Sequence, residues 1–116
     1  MPAATMELLQ GTLDVLVLKA LSWGPRHGHA VATWIRSTTD SELSIEDGAL
    51  YTALHRLEKR GLASAEWGLS ENNRRARYYE LTESGRKALR EESLRLTRYT
   101  DAVFKVLRAT RFAAAG

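Results

Sequence analysis

The sequence predicts a mainly helical α+β fold, in which three short helices and a β-hairpin precede one long C-terminal helix. Apolar residues recur at helical spacing through the first half of the chain. Polar residues at Ser70–Asn73 separate two segments suited to strands. Apart from Gly85, nothing between Glu83 and Thr110 interrupts a helix. With 116 residues, the chain has the size of one domain.

The first helix is expected over residues 8–21, where apolar side chains occupy more than one face, so that it should be covered on two sides. The segment Trp23-Gly24-Pro25 ends this helix, because glycine and proline break helical structure. A second, shorter helix is expected after Gly28, with Val31 and Ile35 on its buried face.

The third helix is predicted to begin at Ser44. The segment Ser44-Ile45-Glu46-Asp47 resembles a capping box, in which Ser44 accepts a hydrogen bond from the backbone N–H three residues later and Asp47 reaches back. Leu50 and Leu54 share the buried face of this helix. Gly61 is expected to end it in the left-handed conformation.

Two strands are predicted at 62–67 and 75–82, and Thr82 is expected to cap the long helix that follows. This order of elements is that of a winged helix-turn-helix domain. Its third helix lies in the major groove of DNA, and its hairpin, the wing, contacts the backbone or the minor groove. We therefore expect a DNA-binding domain at residues 1–82, a dimerisation helix at 83–110 and a tail at 111–116.

The net charge is small, but its distribution is uneven. Seventeen Lys and Arg residues against 14 Asp and Glu residues give +3, far below the charge of a polycationic nucleic-acid binder. The surplus of basic residues lies entirely past residue 50. The absence of cysteine excludes disulfides, thiolate nucleophiles and cysteine-based metal sites, and it fits a reducing cytoplasm. No apolar run has the length of a membrane span and no signal peptide is visible, so we expect no membrane association.

Long, permanently charged side chains lie beside the wing turn and on the exposed face of the third helix. We expect the wing arginines to position the protein on phosphates, and the helix side chains to meet base edges or nearby phosphates. The predicted DNA-contacting residues are Gly48, Tyr51, Thr52, His55, Arg56, Arg74, Arg75 and Arg77. Two simpler interpretations stay open: a solvated turn for the arginines, and a half-buried ring against the hairpin for Tyr51.

The sequence resembles the PadR family of bacterial transcriptional regulators over roughly residues 8–107. Four motifs in the right order carry the resemblance: Leu9-Gln10-Gly11-Thr12-Leu13, Gly24-Pro25-Arg26-His27-Gly28, the segment from Gly48 to Leu62, and Arg77-Tyr78-Tyr79-Glu80-Leu81-Thr82. The resemblance implies a cytoplasmic, dimeric, DNA-binding repressor of the small subtype, whose C-terminal region is a single dimerisation helix. It also implies that Tyr51, its neighbours and the wing arginines face DNA. One departure is His29, where family members often carry an aromatic residue.

The last helix carries an apolar seam at alternating intervals of three and four residues, with one polar position at Glu92. About 28 residues at 1.5 Å each give a helix of about 40 Å, which must overhang a head about 30 Å across. Leaving five apolar side chains of the overhang exposed would forgo on the order of 10 kcal/mol, so we expect a second copy to cover them. The predicted dimer interface comprises Leu8 of the first helix and Leu89, Leu96, Tyr99, Val103, Val106 and Leu107 of the last.

Several side chains are candidates for ligand binding. Glu92, Tyr99 and Phe104 form the candidate pocket for a small aromatic or hydrophobic effector, because a polar residue in the seam implies imperfect packing; a plain interface is the alternative. The three tryptophans, Trp23, Trp34 and Trp67, are expected in the core rather than around a ligand. The histidines before the second helix are expected to pack at its start rather than to hold a metal. No cofactor is expected.

The predicted function is a sequence-specific DNA-binding transcriptional regulator that represses from a pseudo-palindromic operator as a homodimer and is released by a small effector. The motifs of nucleotide-binding loops, zinc proteases and nucleophile elbows are absent, so we expect no enzyme. The alternative is a winged-helix module for protein interaction or assembly without specific DNA binding. With four phosphate contacts per subunit, a dimer would show a slope of log affinity against log salt of about −7. The alternative predicts no salt-dependent binding to DNA.

Overall fold

A computed structural model of the protein describes residues 11–112. Its elements in chain order are α1 (Thr12–Leu21), β1 (Arg26–His27), α2 (Gly28–Thr38), α3 (Asp47–Lys59), β2 (Ala63–Leu69), β3 (Arg75–Leu81) and α4 (Glu83–Leu107). Helices α1, α2 and α3 pack around one core, and the strands form an antiparallel sheet in the order β1-β3-β2. The predicted α+β class and the winged arrangement of three helices, a hairpin and a long last helix are confirmed.

The hairpin formed by β2 and β3 is the wing. Ala63 pairs with Leu81 at its base and Leu69 with Arg75 near its tip. The turn lies at the predicted polar residues, and Asn73 takes a positive φ of 57°, a conformation that asparagine tolerates well. The two-residue strand β1 was not predicted from the sequence, because two residues between a break and a helix are too few to show a periodic pattern.

The core lies where the three short helices meet the base of the wing. The predicted stripe of α3, Leu50, Leu54 and Leu57, is fully buried. Tyr79 of β3 is buried against it, with 1% of the residue exposed. The wing extends away from this core, since burial along β2 decreases from Ala63 towards the tip. The distal half of the wing is therefore free to contact other molecules.

Two predicted helix starts were wrong. The helix α3 begins at Asp47 with Glu46 as N-cap, and no side chain forms the predicted capping hydrogen bond. The physical reason is that Ile45 is buried in the core and the backbone at Glu46 is extended, so the helix begins later than Ser44. In the first helix, Gly11 has a φ of 87°, which lies outside helical geometry and places the start of α1 at Thr12. The predicted interface residue Leu8 lies outside the described residues.

The long helix α4 starts as predicted and projects past the head. The Thr82 hydroxyl accepts a hydrogen bond from the Gly85 N–H at 3.0 Å, which confirms the cap. The helix packs along α1, but every described residue from Asp101 onwards is exposed. The radius of gyration is 17.1 Å, against about 13 Å for a compact domain of this length. Within residues 11–112, no helix has the length and hydrophobicity needed to cross a membrane.

Candidate nucleic-acid interface

One face of α3 is exposed opposite the buried leucines. Gly48, Thr52, His55 and Lys59 follow one another at intervals of four, three and four residues, which places them in one stripe along the helix. We call these four residues the α3 stripe. The Thr52 hydroxyl donates to the Gly48 carbonyl at 2.8 Å, so its oxygen remains an acceptor. A Cβ atom at Gly48 would meet nothing within 4 Å, which leaves the N-terminal end of the stripe open to a close approach.

Arg56, predicted to face DNA, is bound to a carboxylate of α1. Its Nε donates to Oδ2 of Asp14 at 3.0 Å and its Nη2 donates to Oδ1. The Asp14 side chain is only 17% exposed, and Arg60 approaches it at 3.8 Å. The hydrogen bond to Asp14 raises the pKa of Arg56 further above its usual range. This arginine therefore ties α3 to α1, although 46% of its side chain is exposed.

Arg77 has a similar structural role on the other side of α3. Its Nη2 donates to Glu58 Oε2 at 2.7 Å, and its guanidinium lies 6.0 Å from the ring centroid of Tyr79. The ion pair joins β3 to α3 and so fixes the angle between the wing and the helix. The sequence did not reveal either partner, because Asp14 and Glu58 are 42 and 19 residues away from the arginines that they bind.

The wing also carries two arginines that no carboxylate within residues 11–112 holds. Arg74 and Arg75 are exposed beside the turn, and neither forms an ion pair with any residue of the described part of the chain. Arg75 lies instead over the ring of Trp67, with 4.7 Å from its Cζ to the ring centroid. These two guanidinium groups keep their N–H donors available for phosphate.

An open cleft separates the wing from α2 and α3. Its volume is about 980 Å³. Thr33 of α2 and Tyr51 of α3 line one side, and Trp67 and Arg75 of the wing line the other. The Tyr51 ring is 46% exposed and packs on the backbone of Gly28, where an added Cβ would lie 2.9 Å from Tyr51 Cε1. The packing contact of Tyr51 is thus with α2, whereas the alternative interpretation placed the ring against the hairpin, and its contact with DNA stays a prediction.

The family model described as the transcriptional regulator PadR-like family matches residues 17–91. The chain belongs to this family. The resemblance that the four motifs predicted is thus confirmed, and the protein is a PadR-like transcriptional regulator.

Solved structures of similar fold agree with this assignment. A transcriptional regulator from Clostridium thermocellum is 29% identical, with 83% of this chain and 93% of that chain covered and a TM-score of 0.75. A PadR family transcriptional regulator from Eggerthella lenta is 34% identical, with 87% and 86% covered and a TM-score of 0.71. Bacillus subtilis PadR, solved in complex with operator DNA, is 16% identical with a TM-score of 0.62, and 90% of this chain and 52% of that chain are covered. At that identity, the likeness concerns the fold alone.

A second hollow in this PadR-like chain lies between α1 and α4. Its volume is about 250 Å³, and its lining residues are Gly11, Thr12, Val15, Glu92, Arg95, Leu96 and Tyr99. Of the three residues of the candidate effector pocket, the structure brings Glu92 and Tyr99 together there. Phe104 does not line the hollow, because five residues of helix place it about 140° around α4 from Tyr99; it lies beneath Arg108 instead.

The predicted dimer residues divide into two groups along α4. Leu89 and Leu96 are half-buried on their own subunit, Leu89 against the core. Tyr99, Val103, Val106 and Leu107 are exposed. Beyond the head, α4 therefore presents a continuous apolar strip that no other segment of residues 11–112 covers.

The prediction that all three tryptophans lie in the core was wrong for two of them. Trp23 and Trp67 are 57% and 59% exposed, while Trp34 is half-buried with its ring edge-on to Trp23 at 5.2 Å. Aliphatic residues and Tyr79 form the core, and the indoles of Trp23 and Trp67 lie outside it.

The histidine prediction was correct for the helix start. His27 Nδ1 accepts a hydrogen bond from the Ala30 N–H at 3.1 Å and caps α2. Among residues 11–112, no group of three or more His, Asp or Glu side chains could hold a metal ion.

Proposed function

We propose that this PadR-like regulator binds duplex DNA as a homodimer and represses transcription from the site it occupies. In each subunit the α3 stripe would enter a major groove, and the wing would contact the neighbouring backbone. The observation that carries the proposal is the exposed α3 stripe beside two wing arginines, Arg74 and Arg75, that no described carboxylate neutralises. Repression is the activity that the family resemblance implies.

The number of available cations sets the expected salt dependence. Lys59, Arg74 and Arg75 are exposed on the proposed DNA-facing side, whereas Arg56 and Arg77 are held by carboxylates. Three phosphate contacts per subunit make six per dimer. They correspond to a slope of log affinity against log salt of about −5, which is shallower than the value of about −7 predicted from four phosphate contacts per subunit.

The homodimer and its operator follow from the strip on α4. A second copy packed against Tyr99, Val103, Val106 and Leu107 would remove these side chains from water, the dominant favourable term in such an association. A two-fold dimer presents two identical α3 helices. Its operator is therefore pseudo-palindromic, with half-sites about 34–36 Å or one helical turn apart. In this proposal the head up to residue 82 binds DNA and α4 forms the dimer.

The wing arginines test the DNA-binding proposal. Arg74→Ala with Arg75→Ala should weaken binding to a duplex from the protein's own upstream region and to a mixed-sequence duplex by the same factor, because phosphate contacts carry no sequence information. The control is Arg98→Ala, which removes an exposed arginine from α4. Unchanged binding by the double variant, or a loss confined to one base position, would contradict the proposed role.

The hollow between α1 and α4 is the proposed effector site, and a small aromatic or hydrophobic molecule fits its size and lining. It lies against the first turn of α1, which also carries Asp14, the partner of Arg56 on α3. A ligand that displaces this turn would move α3 and favour a state with lower DNA affinity.

Two ring deletions on α4 test the hollow, because Tyr99 lines it and Phe104, although exposed on the same helix, does not. With indole as probe, DNA binding by the native protein should weaken. The response should be lost in Tyr99→Ala and retained in Phe104→Ala, since only Tyr99 lines the hollow. Equal responses of the two variants would exclude the hollow as the site.

A further inference from the structure

The wing places its most exposed aromatic ring on the side that faces the cleft. Side chains alternate along a strand, so Trp67 shares a face of β2 with Ala63 and Ala65, both of which contact the core. At Trp67 the wing has passed the end of the core, and the ring is 59% exposed. The indole therefore lies in water at the wall of the cleft, with the guanidinium of Arg75 over its face.

We propose that the cleft holds the DNA strand that separates the major groove from the minor groove, and that Trp67 is a backbone-contacting residue. Its ring would pack against a deoxyribose of that strand and hold Arg75 towards the adjacent phosphate. The inference rests on the proposed function: when α3 lies in one groove and the wing reaches the next, the intervening strand passes between them. The cleft occupies this position, with Tyr51 on the α3 side and Trp67 with Arg75 on the wing side.

The partner of Arg75 supports its assignment to phosphate. A carboxylate satisfies the guanidinium and cancels its charge, as Glu58 does for Arg77. The face of an indole orients a guanidinium by cation–π attraction while its N–H donors at the edge stay available. The two neighbouring arginines of β3 therefore have different functions. Arg77 fixes the wing against α3 and sets the width of the cleft, and Arg75 is oriented but not neutralised.

Trp67→Ala should weaken binding to both an upstream duplex and a mixed-sequence duplex by about five-fold per subunit, the loss expected from one exposed cation–π contact. Trp67 acts partly through Arg75. Trp67→Ala should therefore reduce DNA affinity less in the Arg75→Ala variant than in the native protein. Trp67→Phe retains an aromatic face and should bind more tightly than Trp67→Ala. Trp23→Ala is the matched control, since Trp23 is equally exposed and has its own cation, Lys19, at 4.8 Å; its binding should be unchanged.

Fluorescence reports the contact without altering Trp67. In a Trp23→Phe, Trp34→Phe variant, Trp67 is the sole tryptophan. Its emission should change on saturation with duplex, and its quenching by acrylamide should fall. A variant that retains only Trp23 should show neither effect.

The outcomes separate this inference from the proposed function. If the native protein binds neither duplex, both are overturned. If it binds with steep salt dependence while Trp67→Ala binds like the native protein, or while the Trp67 emission and quenching stay unchanged, the role of Trp67 alone is overturned.

Discussion

At the scale of single residues, the arginines show how far the sequence determines the interface. Their positions on α3 and the wing follow from the motifs, but their partners do not. Arg56 binds Asp14, Arg77 binds Glu58, and Arg75 lies over Trp67. Each of these contacts joins two different helices or strands. Their relative position is set by the fold and cannot be read from the spacing of residues in the sequence. The sequence thus predicted which surface carries the positive charge but not which guanidinium groups remain available.

Arg77→Ala should lower the free energy of unfolding by about 0.5–1 kcal/mol, a small loss because both partners are about one-third exposed and solvent screens the pair. Arg75→Ala should cost at most a similar amount of stability, through its contact with the Trp67 ring, and it alone should reduce the salt dependence of DNA binding. Thermal unfolding of the two variants, paired with binding at several salt concentrations, measures this division. The reverse pattern would show that Arg77 is the phosphate contact.

The buried phenol of Tyr79 makes stability depend on pH in the alkaline range. Burial raises the pKa of Tyr79 above its ordinary value, and the nearby cation of Arg77 opposes this shift. The folded state therefore holds the phenol proton more tightly than the unfolded state does. The contribution of protonated Tyr79 to the free energy of unfolding is complete below about pH 10 and is lost as the pH rises through the folded pKa. Urea unfolding from pH 8 to 11 should therefore show a weaker decline for Tyr79→Phe than for the native protein. Tyr99→Phe, at an exposed tyrosine, should show the same decline of stability with pH as the native protein. If Tyr79→Phe shows that same decline, Tyr79 is not its cause.

At the scale of elements, the leucine period of α3 and the unbroken composition of α4 predicted two helices well. The sequence did not predict β1. Its two residues form a strand only because they pair with Tyr78 and Tyr79 of β3. It also placed the start of α3 too early, because burial of Ile45 overrides a local capping signal. Local patterns therefore predicted helices with a long apolar stripe, and tertiary contacts set their ends.

Two helical glycines should respond oppositely to alanine. A Cβ atom at Gly85 would overlap the carbonyl oxygen of Leu62, which cannot move without displacing the backbone after α3. Gly85→Ala should therefore destabilise the protein by about 1–3 kcal/mol, the range typical of overpacked sites. Gly48→Ala, in open space on α3, should raise stability by about 0.5 kcal/mol through helix propensity. Chemical denaturation of both variants measures the difference, and similar values for the two would refute the close contact at Gly85.

At the scale of the whole molecule, the dimer is expected to depend on one face of α4. Val103→Glu with Leu107→Glu places charges within the exposed apolar strip, where burial against a second copy would be costly. Light scattering should give a dimer for the native protein and a monomer for this variant. Leu94→Glu is the control, because Leu94 is an exposed apolar residue on the opposite side of the same helix. A native monomer at micromolar concentration would contradict the proposed assembly.

The most direct test of the central claim is the salt dependence of binding between the native protein and duplex DNA from its own upstream region. A dimer that contacts phosphate through Lys59, Arg74 and Arg75 of each subunit should give a slope of log affinity against log salt of about −5. Binding that does not respond to salt, or no detectable binding to duplex, would contradict the claim. Either result would assign the winged helix to protein interaction instead.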